Sequence, residues 1–187
     1  MDFVETTLAD AFLVESAPHK DVRGYFARLR CSREFFEHGL PERFVQTNLS
    51  FNETAGTFRG LHYQLPPSRE GKLLRCLAGA IEDVIVDLRP DSETFLRHEW
   101  FRLTDRELKA LFVPAGFAHG FLTAAHKTVV MYEMTDYYAP DLGRGIRWSD
   151  PALSIRLPRD VSVIDPRDST YADLDPQSLE CFRSSGS

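Results

Sequence analysis

The sequence predicts an all-β sandwich or barrel, and three observations carry that prediction. Its apolar runs are short and rich in β-branched residues, as in Ile81-Glu82-Asp83-Val84-Ile85-Val86-Asp87-Leu88. Turn residues punctuate them at short intervals: Gly56, Pro66-Pro67, Gly79, Pro90-Asp91-Ser92 and Pro114-Ala115-Gly116. Helical signals are few and short, and strands do not alternate with helices as they would in a parallel α/β sheet.

Taken in order, residues 12–14 and 25–29 are extended segments flanking a turn-rich stretch, 16–24. Ser32 opens a short helix through Phe35, Phe36 and His38, stopped by Gly39 and Pro41. Residues 43–51 form a strand and 52–56 a loop. A strand-like stretch, Thr57-Phe58-Arg59-Gly60-Leu61-His62-Tyr63-Gln64, follows, and residues 66–71 separate it from a strand opening at Lys72. Residues 81–88 and 98–103 are further strands, and Thr104-Asp105-Arg106-Glu107 has the spacing of a capping box, which predicts one helical turn. Leu111-Phe112-Val113-Pro114 and Phe121-Leu122-Thr123 bracket a glycine-containing turn that carries His119. Residues 128–138 form a long strand and 154–157 a short apolar one. A small helix near residues 176–182 precedes a tail, 184–187, expected to fray.

Composition bounds the function. A length of 187 residues suits one domain with a sizeable core, and no linker or internal repeat divides it. The formal net charge of −6 argues against generic nucleic-acid binding, which needs a basic footprint, but leaves room for a local phosphate pocket. No apolar run is long enough to span a bilayer, and Met1-Asp2-Phe3-Val4-Glu5 lacks the basic and apolar regions of a signal peptide. Cys31, Cys76 and Cys181 are an odd, sparse set that fits reduced thiols in a cytoplasm.

The chemistry-bearing residues cluster from Arg59 to Lys72. A cation, an imidazole, a phenol and an amide fall between Arg59 and Gln64, and Lys72 lies ten residues after His62. Alternate side chains of a strand share a face, so Val130, Tyr132, Met134, Asp136 and Tyr138 would look the same way, as would Phe117, His119 and Phe121. Gly60 can distort its strand, which leaves the relative orientation of Arg59 and His62 open. Each group alone has a plain structural explanation: Lys72 as a solvated strand end, Tyr132 and Tyr138 as packing residues, His119 as a buried histidine held by Asp83, Asp168 as a loop residue.

Pro114-Ala115-Gly116-Phe117-Ala118-His119 resembles the second half of a cupin metal motif. The first half should bring two histidines and a glutamate, whereas His62-Tyr63-Gln64 brings one histidine. A transition metal wants three or four His, Cys or carboxylate ligands, so neither metal nor cofactor is expected. Without a metal, a histidine poised by a carboxylate is a general base, a lysine holds an oxyanion, and a tyrosine on the opposite wall returns a proton. That set allows epimerisation beside a carbonyl without selecting it uniquely.

Six pieces in order make the sequence resemble the dTDP-4-dehydrorhamnose 3,5-epimerase family: Asp21-Val22-Arg23-Gly24-Tyr25-Phe26, Phe44-Val45-Gln46-Thr47-Asn48, Phe58-Arg59-Gly60-Leu61-His62-Tyr63-Gln64, Gly71-Lys72-Leu73-Leu74-Arg75-Cys76, residues 113–121 and Tyr137-Tyr138-Ala139-Pro140. The resemblance implies a double-stranded β-helix (jelly roll) with a few short peripheral helices, forming a homodimer that binds a nucleotide diphosphate sugar. It implies His62 as base paired with Asp168, Lys72 on the enolate oxygen and Tyr132 as acid on the other face. Arg59 and Arg23 would bind the diphosphate, Arg23 from a partner subunit. Gln46 and Asn48 would hydrogen-bond the ligand, Tyr138 would stack on or near the base, and His119 and Asp83 would form a supporting pair. Arg28 stands where the family commonly has Glu, so the base or sugar preference could differ. A mono-epimerase, a sugar ketoisomerase and a non-catalytic cupin that binds a small ligand are the alternatives.

Overall fold

A computed structural model of the chain describes residues 1–183; the tail expected to fray, 184–187, lies outside the described residues. Two antiparallel sheets carry the molecule. The first runs β1 (Asp2–Glu5), β2 (Phe12–Glu15), β10 (Lys109–Val113), β7 (Lys72–Ala78), β12 (Thr128–Met134) and β5 (Gln46–Asn52). The second runs β13 (Gly143–Gly145), β6 (Thr57–Gln64), β11 (Phe117–Thr123), β8 (Ala80–Asp87) and β9 (His98–Thr104), with β14 (Val163–Ile164) parallel to β6. From β5 to β8 and again from β9 to β12 the chain passes from one sheet to the other at each step, the winding of a double-stranded β-helix. Among the described residues no helix is long and apolar enough to cross a membrane.

Alternation along the strands builds the core between the sheets. Leu74 and Cys76 of β7 and Val130 of β12 meet Ile81 and Ile85 of β8 and Phe117 and Phe121 of β11. The second sheet is covered on its other face as well. Phe58, Leu61, Val84, Val86 and Leu122 pack against Ile146, Leu153, Ile155 and Leu179 of the C-terminal segment. Burial on both faces explains why β8 is buried almost throughout, Asp83 and Asp87 included, and why every residue of β11 is buried. Behind the first sheet, α1 (Ser32–Glu37) buries Phe35 against Val14, Leu73 and Phe112. The hairpin of β3 (His19–Asp21) and β4 (Gly24–Phe26) is exposed along its whole length.

Several local expectations need correction. Residues 154–157 form no strand: Ser154 has φ +51°, and the apolar signal reports Leu153 and Ile155 packing on the second sheet. Thr104 ends β9 and residues 105–107 form a turn rather than a helical turn, with the Thr104 hydroxyl donating to the Glu107 carboxylate at 3.2 Å. The turn expected to carry His119 is confined to residues 114–116, and His119 lies in β11. The strand from Thr128 stops at Met134, so Asp136 leaves the shared face and accepts from Arg69 N. Asp168 belongs to α2 (Pro166–Thr170), which has Pro in its first turn and is capped by the Asp165 side chain.

Candidate active site

A cavity of about 400 Å³ opens between the sheets, lined by both. The second sheet contributes Arg59, His62 and His119, and the first contributes Asn48, Lys72 and Tyr132.

Arg59 and His62 are three residues apart, so a regular strand would point them to opposite faces. The pairing of β6 with β11 resolves this: His119 faces His62 while Phe121 faces Arg59. Two steps on β11 thus span three on β6, a bulge that restores both side chains to the cavity face. Gly60, at φ +125°, lies within it, and a Cβ there would stand 2.5 Å from Gly120 Cα. Only glycine fits that backbone angle and that approach.

His62 Nε2 lies 2.7 Å from Asp168 Oδ1, and Gly60 N donates to Asp168 Oδ2 at 2.9 Å. Burial would raise the Asp168 carboxyl, but the His62 and Gly60 hydrogen bonds outweigh it and hold the group below its ordinary value. An ionised carboxylate only accepts, so Nε2 carries a hydrogen and Nδ1 is left as the basic nitrogen. The His62 side chain is 46% exposed and free to meet a ligand.

Lys72 Nζ donates to His62 O at 3.3 Å and lies 3.4 Å from Glu70 Oε1. Gln64 Nε2 also donates to Glu70, at 2.5 Å, while Gln64 Oε1 accepts from Ala139 N at 3.0 Å. The amide standing where a metal motif would bring a histidine is therefore committed to protein partners. Among the described residues no group of three or more His, Cys, Asp or Glu could hold a metal.

Tyr132 packs edge-on to His119, with ring centroids 6.2 Å apart, and its hydroxyl lies 3.3 Å from Ser50 Oγ. Burial pushes the phenol well above its ordinary range, so it keeps its proton. His119 Nε2 lies 2.9 Å from Asp83 Oδ2, and burial raises the Asp83 carboxyl against the opposing pull of His119 and Lys72.

Tyr138 reaches the cavity from the loop after β12. Gln46 is not among the residues lining the cavity; it donates to Asn48 Oδ1 at 3.0 Å and accepts from Tyr138 N at 3.3 Å, and both of those residues do line it. Two expected ligand contacts lie elsewhere on this chain. Arg23 sits on the exposed β3–β4 hairpin, paired with Asp21. Arg28 pairs with Glu34, which also holds the N-terminal amine. Sequence reasoning missed Ser50, Glu70, Arg144 and Arg167, all of which line the cavity. Strand parity with Gln46 and Asn48 could have found Ser50; Glu70 lies in a loop, Arg144 in the three-residue strand β13 and Arg167 in the short helix α2, all too short for a periodicity to mark them.

A family model described as dTDP-4-dehydrorhamnose 3,5-epimerase matches residues 5–175. The chain is 38% identical over 175 residues to the dTDP-4-dehydrorhamnose 3,5-epimerase of Sinorhizobium fredii, covering 93% of this chain and 90% of that one. The crystal structure of the Bacillus anthracis enzyme of that name, with TDP and PPi bound, superposes with a TM-score of 0.88 at 39% identity, covering 92% of this chain and 99% of that one. A 3'-monoepimerase from Streptomyces bikiniensis in complex with dTDP-quinovose gives 0.81 at 28% identity, covering 88% and 84%. With the jelly roll and its cavity described, these matches establish that the chain belongs to the dTDP-4-dehydrorhamnose 3,5-epimerase family, a family of isomerases.

Proposed function

We propose that the chain inverts C3, C5 or both of a thymidine-diphosphate-linked 4-keto-6-deoxyhexose, in deoxysugar biosynthesis and without a cofactor. The convergence of His62, Lys72 and Tyr132 on one cavity carries this reading. His62 Nδ1 removes the proton beside the ketone, while Asp168 holds the ring and stabilises the imidazolium. Lys72 holds the oxygen that becomes negative in the enolate. Tyr132 returns a proton to the opposite face. Arg59 supplies charge for the diphosphate, Asn48 lines the cavity with Gln46 holding it, and Tyr138 offers a flat ring to the base. His119 and Asp83 support the wall beside Tyr132.

The active form is proposed to be a cytoplasmic, single-domain homodimer. Support comes from the β3–β4 hairpin, where Val22, Tyr25 and Phe26 are exposed beside Arg23. A partner covering this hairpin would bury those apolar groups and could bring Arg23 and Arg28 to its cavity. An active monomer in sedimentation at micromolar concentration would contradict the dimer.

The deciding experiment incubates the protein with thymidine-linked 4-keto-6-deoxyglucose in deuterated water and assigns the labelled carbons by proton NMR. Label at C3 and C5 with inversion establishes double epimerisation, and label at one carbon a mono-epimerase. Absence of label makes the chain a binder. A parallel incubation with the cytidine-linked sugar, for wild type and Arg28→Glu, tests whether Arg28 alters base preference.

A further inference from the structure

We infer that Ser50 and Asn52 are positioning residues that aim the Tyr132 proton into the cavity and tie it to the Arg59 guanidinium. The inference rests on the reading of Tyr132 as the acid.

Asn48, Ser50 and Asn52 alternate along β5 and share the face turned to the cavity. Across the β5–β12 pairing, Asn48 faces Tyr132, Ser50 faces Val130 and Asn52 faces Thr128. Asn52 is buried, 2% exposed, and its amide can point only one way. Arg59 Nε, which only donates, lies 2.7 Å from Asn52 Oδ1. Thr128 O, which only accepts, lies 3.2 Å from Asn52 Nδ2. The same Nδ2 donates to Ser50 Oγ at 3.3 Å.

That bond occupies one of the two lone pairs of Ser50; across the 3.3 Å to Tyr132 Oη either hydroxyl can donate, and in the proposed arrangement Ser50 is the donor. With Tyr132 accepting from Ser50, the phenol hydrogen is free to point at the sugar. During turnover the Tyr132 O–H bond breaks, a C–H bond forms from the enolate electron pair, and the ketone is restored. The phenolate left behind keeps the Ser50 hydrogen bond until water in the open cavity returns its proton. Burial makes that phenolate costly, and Ser50 is its hydrogen-bonding side-chain partner, acting against the burial. Because Arg59 anchors the far side of the same amide, a diphosphate on Arg59 and a proton on Tyr132 share one hydrogen-bonded path.

The test uses Ser50→Ala, Asn52→Asp, Tyr132→Phe and the Ser50→Ala/Tyr132→Phe double variant. The readouts are affinity for thymidine diphosphate and, by proton NMR in deuterated water, exchange and inversion of the thymidine-linked 4-keto sugar measured separately. Ser50→Ala should keep affinity and exchange and lower inversion about tenfold or more, the size of a lost hydrogen bond to a charge. Asn52→Asp keeps an acceptor for Arg59 but turns the Ser50 hydrogen toward the new carboxylate. It should therefore invert as poorly as Ser50→Ala, and bind thymidine diphosphate more weakly than wild type because the new charge pairs with Arg59. The double variant should be no worse than Tyr132→Phe alone, since the two act as one unit. Should Asn52→Asp not fold, Ser50→Ala and the double variant decide. Normal inversion by Ser50→Ala beside a defective Tyr132→Phe overturns the inference alone. Equal loss of exchange and inversion in Ser50→Ala overturns it too, as general damage. Wild-type inversion by Tyr132→Phe overturns the acid assignment itself.

Discussion

His62 and His119 face each other across β6 and β11, and each holds an aspartate through Nε2, at 2.7 and 2.9 Å. The two pairs are chemically the same and physically opposite. The His62 side chain is 46% exposed; that of His119 is 6% exposed. Asp168 has both oxygens hydrogen-bonded and its carboxyl is held below the ordinary value. Asp83 is fully buried with Oδ1 unpartnered, and its carboxyl is raised. A histidine–carboxylate pair therefore does not define a base. On the proposed reading, solvent access and a carboxylate held low by its hydrogen bonds mark the His62 pair as the base, and the buried His119 pair as part of the wall.

The sharpest test of this contrast is the ratio between the two histidines. His62→Asn should lose deuterium exchange and inversion together by about 10²-fold or more, the size of a general-base contribution. His119→Asn should cost about tenfold, the scale of one hydrogen bond. Equal losses in the NMR assay would erase the distinction.

Lys72→Ala comes next. It should lower exchange and inversion by about 10²-fold, since both pass through the enolate that the cation holds. Full exchange by this variant would remove Lys72 from the oxyanion role. Tyr132→Phe divides the two readouts. It should still exchange the proton with solvent deuterium and invert poorly, because removing the acid does not stop the base.

The aspartates should give pH slopes of opposite sign in thermal melting. Asp168 has a lowered folded pKa, so its contribution is present above 3.8 and is lost as pH falls through the folded value. The stability gap between wild type and Asp168→Asn should narrow in acid. Asp83 has a raised folded pKa, so its contribution is present below 3.8 and is lost as pH rises through the folded value. Wild type should thus lose ground to Asp83→Asn as pH rises. Parallel slopes would contradict the two environments. The smallest expected effect is none: chelator treatment should leave turnover unchanged, and a loss restored by one metal would sink the metal-free assignment.

The sequence by itself determined the central strands and the residue types at the site. β8 is the clearest case, because β-branched residues and a glycine turn are local signals that survive in any context. The pieces around Arg59–Gln64 and Lys72 were legible for the same reason, being contiguous. Tertiary structure decided which of these groups meet. The β6 bulge exists because Gly60 and Gly120 approach across two strands, and no local pattern encodes that approach. By residue pattern Asp168 reads as a loop residue, and only the family resemblance paired it with His62; α2 is what brings it to that histidine, 106 positions earlier. Glu70 holds Lys72 from an irregular loop that has no period. Residues 154–157 show the converse: their apolar signal was real, but it reported burial against the second sheet, and burial does not require a strand. Periodicity records which face of a segment is buried, whereas the partner across the cavity is set by chain segments far apart in sequence, and only packing brings them together.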